Sequence, residues 1–126
     1  MFFLSFKSFT HEEKYSEYLE KYLIINNKIK ATIYLLTLDD VLQNHMSEIF
    51  DLEDMSVNVQ SIKYSWQTES SKKTSRLIFM LLENYIPRES TSLDGPELYC
   101  ITKIFASNLA PYYLEALKIC FFPEIC

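Results

Sequence analysis

A single glycine, Gly95, among 126 residues is the strongest constraint on what this chain can be. Glycine reaches positive φ without steric cost and lets a backbone approach a ligand closely. Phosphate-cradling loops, dinucleotide fingerprints and nucleophile elbows all rely on several glycines, so their motifs are excluded. An antiparallel β protein with many tight hairpins would also need more. The expectation is a helical fold whose chemistry, if any, lies in side chains.

The length fits one domain, and a chain of this size buries roughly two-thirds of its unfolded surface. Hydrophobic residues at 48% and charged residues at 23% indicate a globular chain rather than a disordered one. Nine Tyr, nine Phe and one Trp supply large buried areas and, for Tyr, interface-forming surface. The net charge of -5 argues against direct nucleic-acid binding, which calls for a basic field, and suits a basic partner. Cys100, Cys120 and Cys126 are odd in number and lack CxxC spacing. They read as reduced thiols of a cytoplasmic protein. The opening MFFLSFKSF is interrupted by Lys7 and does not read as a signal peptide. No apolar run approaches the roughly 20 residues of a membrane span.

Helical periodicity organises most of the chain. Thr10-His11-Glu12-Glu13 has capping-box form, with Thr10 as N-cap and His11 expected to be exposed. Tyr15, Tyr18, Leu19, Tyr22 and Leu23 continue as an apolar stripe, and Asn26-Asn27 suits the helix end. The preceding Phe2, Phe3, Leu4, Phe6 and Phe9 are expected to pack over the core as an extended arm or a short turn. KIKATIYLL reads as strand or helix by period alone, and its helical neighbours favour helix over 29–36. Thr37 then caps a helix whose stripe is Leu38, Val41, Leu42, His45, Met46 and Ile49. Weak alternation around 56–64 suggests one short extended segment. From Ser70, Leu77, Ile78, Leu81, Leu82 and Tyr85 line one face and Phe79 and Met80 another, which marks a central helix. Pro87 to Pro96 is a loop. A short helix over 97–106 follows, then a last one with Pro111 at its start and Tyr113, Ala116, Leu117 and Cys120 inward, ending before Pro123. The fold class is all-α: a compact single-domain bundle of about five or six helices.

Two charged clusters are the candidate sites. Asp39, Asp40, Glu48, Asp51, Glu53 and Asp54 occur with no Lys or Arg between them. They can meet a basic groove on a partner, or simply form a solvated helix face and loop, the commoner outcome for such runs. Ser70, Ser71, Lys72, Lys73 and Arg76 open the central helix. Cations there oppose the helix dipole, while hydroxyls, free N–H groups and positive charge suit an anion. The plainer alternative is Ser/Thr capping with solvated or paired cations. His11 and His45 form no HxxxH or Glu-x-x-His pair, so neither a metal site nor a nucleophile–base pair is argued, and no cofactor is implied.

The second half carries a resemblance. Trp66-Gln67-Thr68, Ser70-Ser71-Lys72, Arg76-Leu77-Ile78-Phe79, Leu109-Ala110-Pro111-Tyr112-Tyr113 and Glu115-Ala116-Leu117-Lys118 form its basis. They resemble an uncharacterised family of small proteins from Gram-positive bacteria, their phages and mobile elements. That family's pattern reads W-Q-T-S, an Arg-Leu-Ala-Phe-Asn helix followed by Asn-Gly, Ala-Pro-Tyr-Phe and Glu-Ala-Ile-Lys. This chain departs from it at Glu83-Asn84-Tyr85, which stands in place of Asn-Gly, and at Lys118-Ile119-Cys120. The resemblance implies no activity. It does imply that Trp66 and Arg76 are structural hubs, with Trp66 closing the core beneath the central helix and Arg76 holding a carboxylate or the Tyr112 region.

The functional expectation is a small acidic, non-enzymatic interaction protein. It would be an inhibitor of a host defence protein, of the anti-CRISPR kind, that presents its acidic residues to a basic surface. The alternative is an anion- or nucleotide-binding module at Lys72, Lys73 and Arg76.

Overall fold

The computed structural model describes residues 4–83 and 100–122. The expected loop at Pro87–Pro96, the start of the helix at Glu97, and Phe2, Phe3, Tyr85, Pro123 and Cys126 lie outside them.

Among the described residues the chain forms seven helices: α1 (Phe9–Lys21), α2 (Asn27–Leu36), α3 (Asp40–Asn44), α4 (Met46–Ile49), α5 (Glu69–Glu83), α6 (Ile101–Ile104) and α7 (Ala110–Phe121). A two-stranded antiparallel ladder, β1 (Phe50–Asp51) with β2 (Ser56–Val57), pairs Phe50 with Val57 and Asp51 with Ser56. A 3-10 turn, Val59–Lys63, leads on toward α5. The mainly-α expectation holds. Of the extended segment expected around 56–64 only Ser56–Val57 is strand, because Val59–Lys63 winds into the 3-10 turn.

The packing centres on α2, which touches α1, α5 and α7. Ala31 to Leu38 are all buried, which explains why this run shows no period: it has no solvent face to mark with polar residues. Its two buried threonines bond backward, Thr32 Oγ1 to Lys28 O at 2.9 Å and Thr37 Oγ1 to Ile33 O at 2.7 Å, so burial leaves no hydroxyl orphaned. Leu77, Ile78, Phe79 and Leu81 of α5 and Tyr113, Ala116 and Ile119 of α7 close around it. Burial of these side chains is the main stabilising term, about 1.5–3 kcal/mol for each large one.

The start of α1 corrects the sequence reading. Ser8, not Thr10, is the N-cap, its hydroxyl accepting from His11 N at 3.1 Å. That shift of two residues places His11 at the third helical position and turns it inward, so it is buried rather than exposed. Its Nδ1 accepts from Lys7 N–H at 3.1 Å and its Nε2 bonds the carbonyl of Tyr34 at 2.8 Å. These partners require a neutral ring protonated on Nε2. The rings of Phe6 and Tyr34 pack on it, Tyr15 packs on those two in turn, and the Tyr34 hydroxyl donates to Ser5 O. The arm therefore packs through Leu4 and Phe6, whereas Phe9 is exposed.

Two further boundaries differ. Helix α1 ends at Lys21 with Leu23 at φ 51, and Asn26 instead caps α2, accepting from Ile29 N at 3.1 Å. The helix expected from Leu38 to Ile49 is split at His45 (φ −121), and its cap is Asp39, because Thr37 closes α2.

Candidate functional site

Three of the six acidic residues have structural partners. Asp39 Oδ1 accepts from Val41 N at 2.7 Å and starts α3. Asp51 Oδ1 accepts from Glu53 N at 2.8 Å and Asp54 N at 3.1 Å, which folds the turn between β1 and β2. Glu48 joins two elements: one oxygen accepts from Trp66 Nε1 at 3.1 Å and the other meets His45 Nδ1. The His45 bond holds the Glu48 carboxyl below the usual carboxylate range, helped by Trp66.

The structure does not gather the six evenly. Glu48 and Asp51 line one surface concavity of about 440 Å³ with Asn58 and Tyr64. Asp51 and Glu53 also line a neighbouring one of about 470 Å³, where Lys21 and Tyr18 of α1, with Tyr22 just beyond it stacked on Tyr18, form the other wall. Asp54 is exposed on the same turn. Asp39, followed by exposed Asp40, lies near Tyr113 instead, close enough for its charge to help raise that phenol's pKa, after burial. The patch presented by the hairpin is therefore Glu48, Asp51, Glu53 and Asp54.

The cap of α5 is reciprocal. Ser71 N donates to Thr68 Oγ1 at 3.0 Å, and Thr68 N donates to Ser71 Oγ at 2.8 Å. Ser71 is buried and its hydroxyl also donates to Gln67 Oε1. Ser70 contributes its carbonyl to Thr74 Oγ1 at 3.4 Å. The cations fall elsewhere: Lys72, Lys73 and Arg76 line a cleft of about 460 Å³ together with Lys103 of α6, Glu69 and Ala106. Arg76 is 9% exposed, and Lys73 Nζ donates to the carbonyl of Ala106. Lys103 was not a sequence candidate. Nothing in its local pattern links it to α5, and only tertiary packing of α6 on α5 does so.

Trp66 is half-buried, packs against the edge of the core and stacks on His45, with centroids 4.1 Å apart and planes 5° from parallel. The side chain that α7 sends to α5 is that of Tyr113, whose hydroxyl lies 2.7 Å from Thr74 Oγ1. Its neighbour Tyr112 is only partly buried, as adjacent helical positions require.

Cys100 and Cys120 are free thiols. The hydrogen bond from Thr102 lowers the Cys100 thiol pKa, and burial pushes Cys120 up. Among the described residues no group of three His, Cys, Asp or Glu side chains could hold a metal, and no helix is long and apolar enough to cross a membrane.

Residues 1–126 match the profile of a family of unknown function, DUF6075. The chain belongs to that family. The match spans the arm, both charged clusters and α7, so the features above are those of a DUF6075 member along its whole sequence. No curated protein and no solved structure matches this family member significantly.

Proposed function

We propose that this protein is a small non-enzymatic interaction protein whose contact surface is the acidic hairpin, and that its partner is a host protein with a basic surface. In this reading it serves a phage or mobile element as an inhibitor of host defence. The observation that carries the proposal is the placement of Glu48, Asp51, Glu53 and Asp54. All four are exposed on one small hairpin and the helix feeding it. That hairpin is held by the Asp51 turn and by the Trp66–Glu48 bond, so its charges are presented on an ordered support. Fixed charges of one sign steer association with an opposite surface and set its register.

The test is capture from host lysate by wild-type protein and by a triple variant, Asp51→Asn/Glu53→Lys/Asp54→Lys, with matched melting temperatures. The proposal expects a specific protein that the wild type retains at low salt, and that both high salt and the variant release. Equal retention by wild type and variant would sink it.

A further inference from the structure

Four cations converge on one cleft in a molecule that is otherwise acidic. Lys72, Lys73 and Arg76 come from α5 and Lys103 from α6, and Glu69 is the carboxylate on the same wall. Among the described lining residues four cations stand beside one carboxylate, in a chain whose net charge is -5. Lys72 and Arg76 stand at i and i+4, a like-charge spacing that works against the helix, and tertiary packing adds Lys103 to the same field. Lys73 is pinned by the Ala106 carbonyl, which fixes its ammonium at the junction of α5 with the chain after α6. At the start of the helix the Ser71 N–H is already taken by the Thr68 hydroxyl, so the cleft's attraction lies in its side-chain cations.

A concave surface of one sign focuses potential and concentrates counter-ions. Ammonium groups act as point charges on phosphate oxygens. The volume of about 460 Å³ lies within the range of small-ligand sites. Among the described residues its lining includes no aromatic ring on which a base could stack. We propose that this cleft binds a compact polyphosphate, the pyrophosphate or triphosphate part of a small molecule, without reading an attached base. A long nucleic-acid strand is disfavoured, since its phosphates beyond the cleft would meet a chain of net charge -5. The proposal stands independently of the acidic hairpin.

Isothermal titration of the full chain at low ionic strength tests it, with inorganic tripolyphosphate, pyrophosphate, orthophosphate, ATP, GTP and a single-stranded oligonucleotide as probes. The variants are Lys72→Ala and Lys103→Ala, both at positions outside the buried core, with melting temperatures recorded to confirm the fold. Affinity should rise from orthophosphate to tripolyphosphate, ATP and GTP should bind alike, and each substitution should weaken tripolyphosphate by about tenfold, the effect of one charge-assisted hydrogen bond. No heat with tripolyphosphate at millimolar concentration would overturn the proposal. So would unchanged affinity in both variants, a clear preference between ATP and GTP, or tighter binding of the oligonucleotide than of tripolyphosphate.

Discussion

The imidazole of His45 lies flat on the indole of Trp66, 4.1 Å between ring centres, and Glu48 bonds both rings through its two oxygens. This arrangement ties the α3–α4 break to the segment that leads into α5, and it holds the base of the acidic hairpin. Replacing Trp66 by Ala removes a half-buried aromatic and one hydrogen bond. It should cost about 2 kcal/mol. Trp66→Phe keeps a stacking face and should cost about 1 kcal/mol. Chemical denaturation of the two variants measures both values. If Trp66→Ala were neutral, the indole would not be supporting the hairpin.

His11 makes stability depend on pH. Burial, the largest cause, lowers its pKa below 6.5, and the Lys7 charge adds to this against the opposing bond to Tyr34. Above pH 6.5 the ring is neutral in both the folded and unfolded chains, so it adds no pH slope. Between the folded pKa and 6.5 the unfolded chain takes up a proton that the folded chain refuses. Stability from this residue therefore falls as pH drops through that window and levels off below the folded pKa. Melting curves across the acid side of neutrality should show this loss in wild type and a shallower one in His11→Gln. Identical slopes would show that the ring titrates freely.

Leu23 sits at φ 51 with 82% of its surface exposed. A side chain that contributes little packing is held in the left-handed region, which costs a non-glycine residue about 1 kcal/mol. Leu23→Gly should thus stabilise the fold by about 0.5–1 kcal/mol, less the added freedom of glycine in the unfolded chain. A lower melting temperature in this variant would contradict that reading of the α1–α2 turn.

Tyr113 and Thr74 join α7 to α5 through fully buried hydroxyls. Tyr113→Phe leaves the Thr74 hydroxyl with only its long bond to Ser70 O, at 3.4 Å, and should cost about 1–2 kcal/mol. Adding Thr74→Val should recover part of that loss, because no buried hydroxyl of this pair is then left, and the Ser107 hydroxyl that also meets Tyr113 is only partly buried. A double-mutant cycle reads the coupling directly, and strict additivity would deny it.

The long helices were legible because one face of each meets solvent, or because the run lacked any polar face at all. The run Ile29 to Leu36 of α2 shows the second case, where flanking helices had to settle what periodicity left open. Ser8 and Thr10 are both acceptable caps two residues apart, and only the buried bond from His11 to Tyr34 O selects the first. The break at His45 and the tight hairpin carried no glycine to announce them. Met55 takes the left-handed position at φ 55, with its side chain packed on the core. The acidic patch was visible because Glu48 to Asp54 are close in sequence, yet Asp39 belongs by Tyr113 for reasons of packing. The basic cleft was half visible: its three α5 cations are local, and Lys103 arrives only through the fold.

The most direct test of the interaction proposal is amide hydrogen exchange on the protein alone and bound to the partner that it captures. The account predicts new protection concentrated between Met46 and Asn58, with α5 around Lys72 to Arg76 unchanged. Protection on the α5–α6 cleft with none on the hairpin would contradict it.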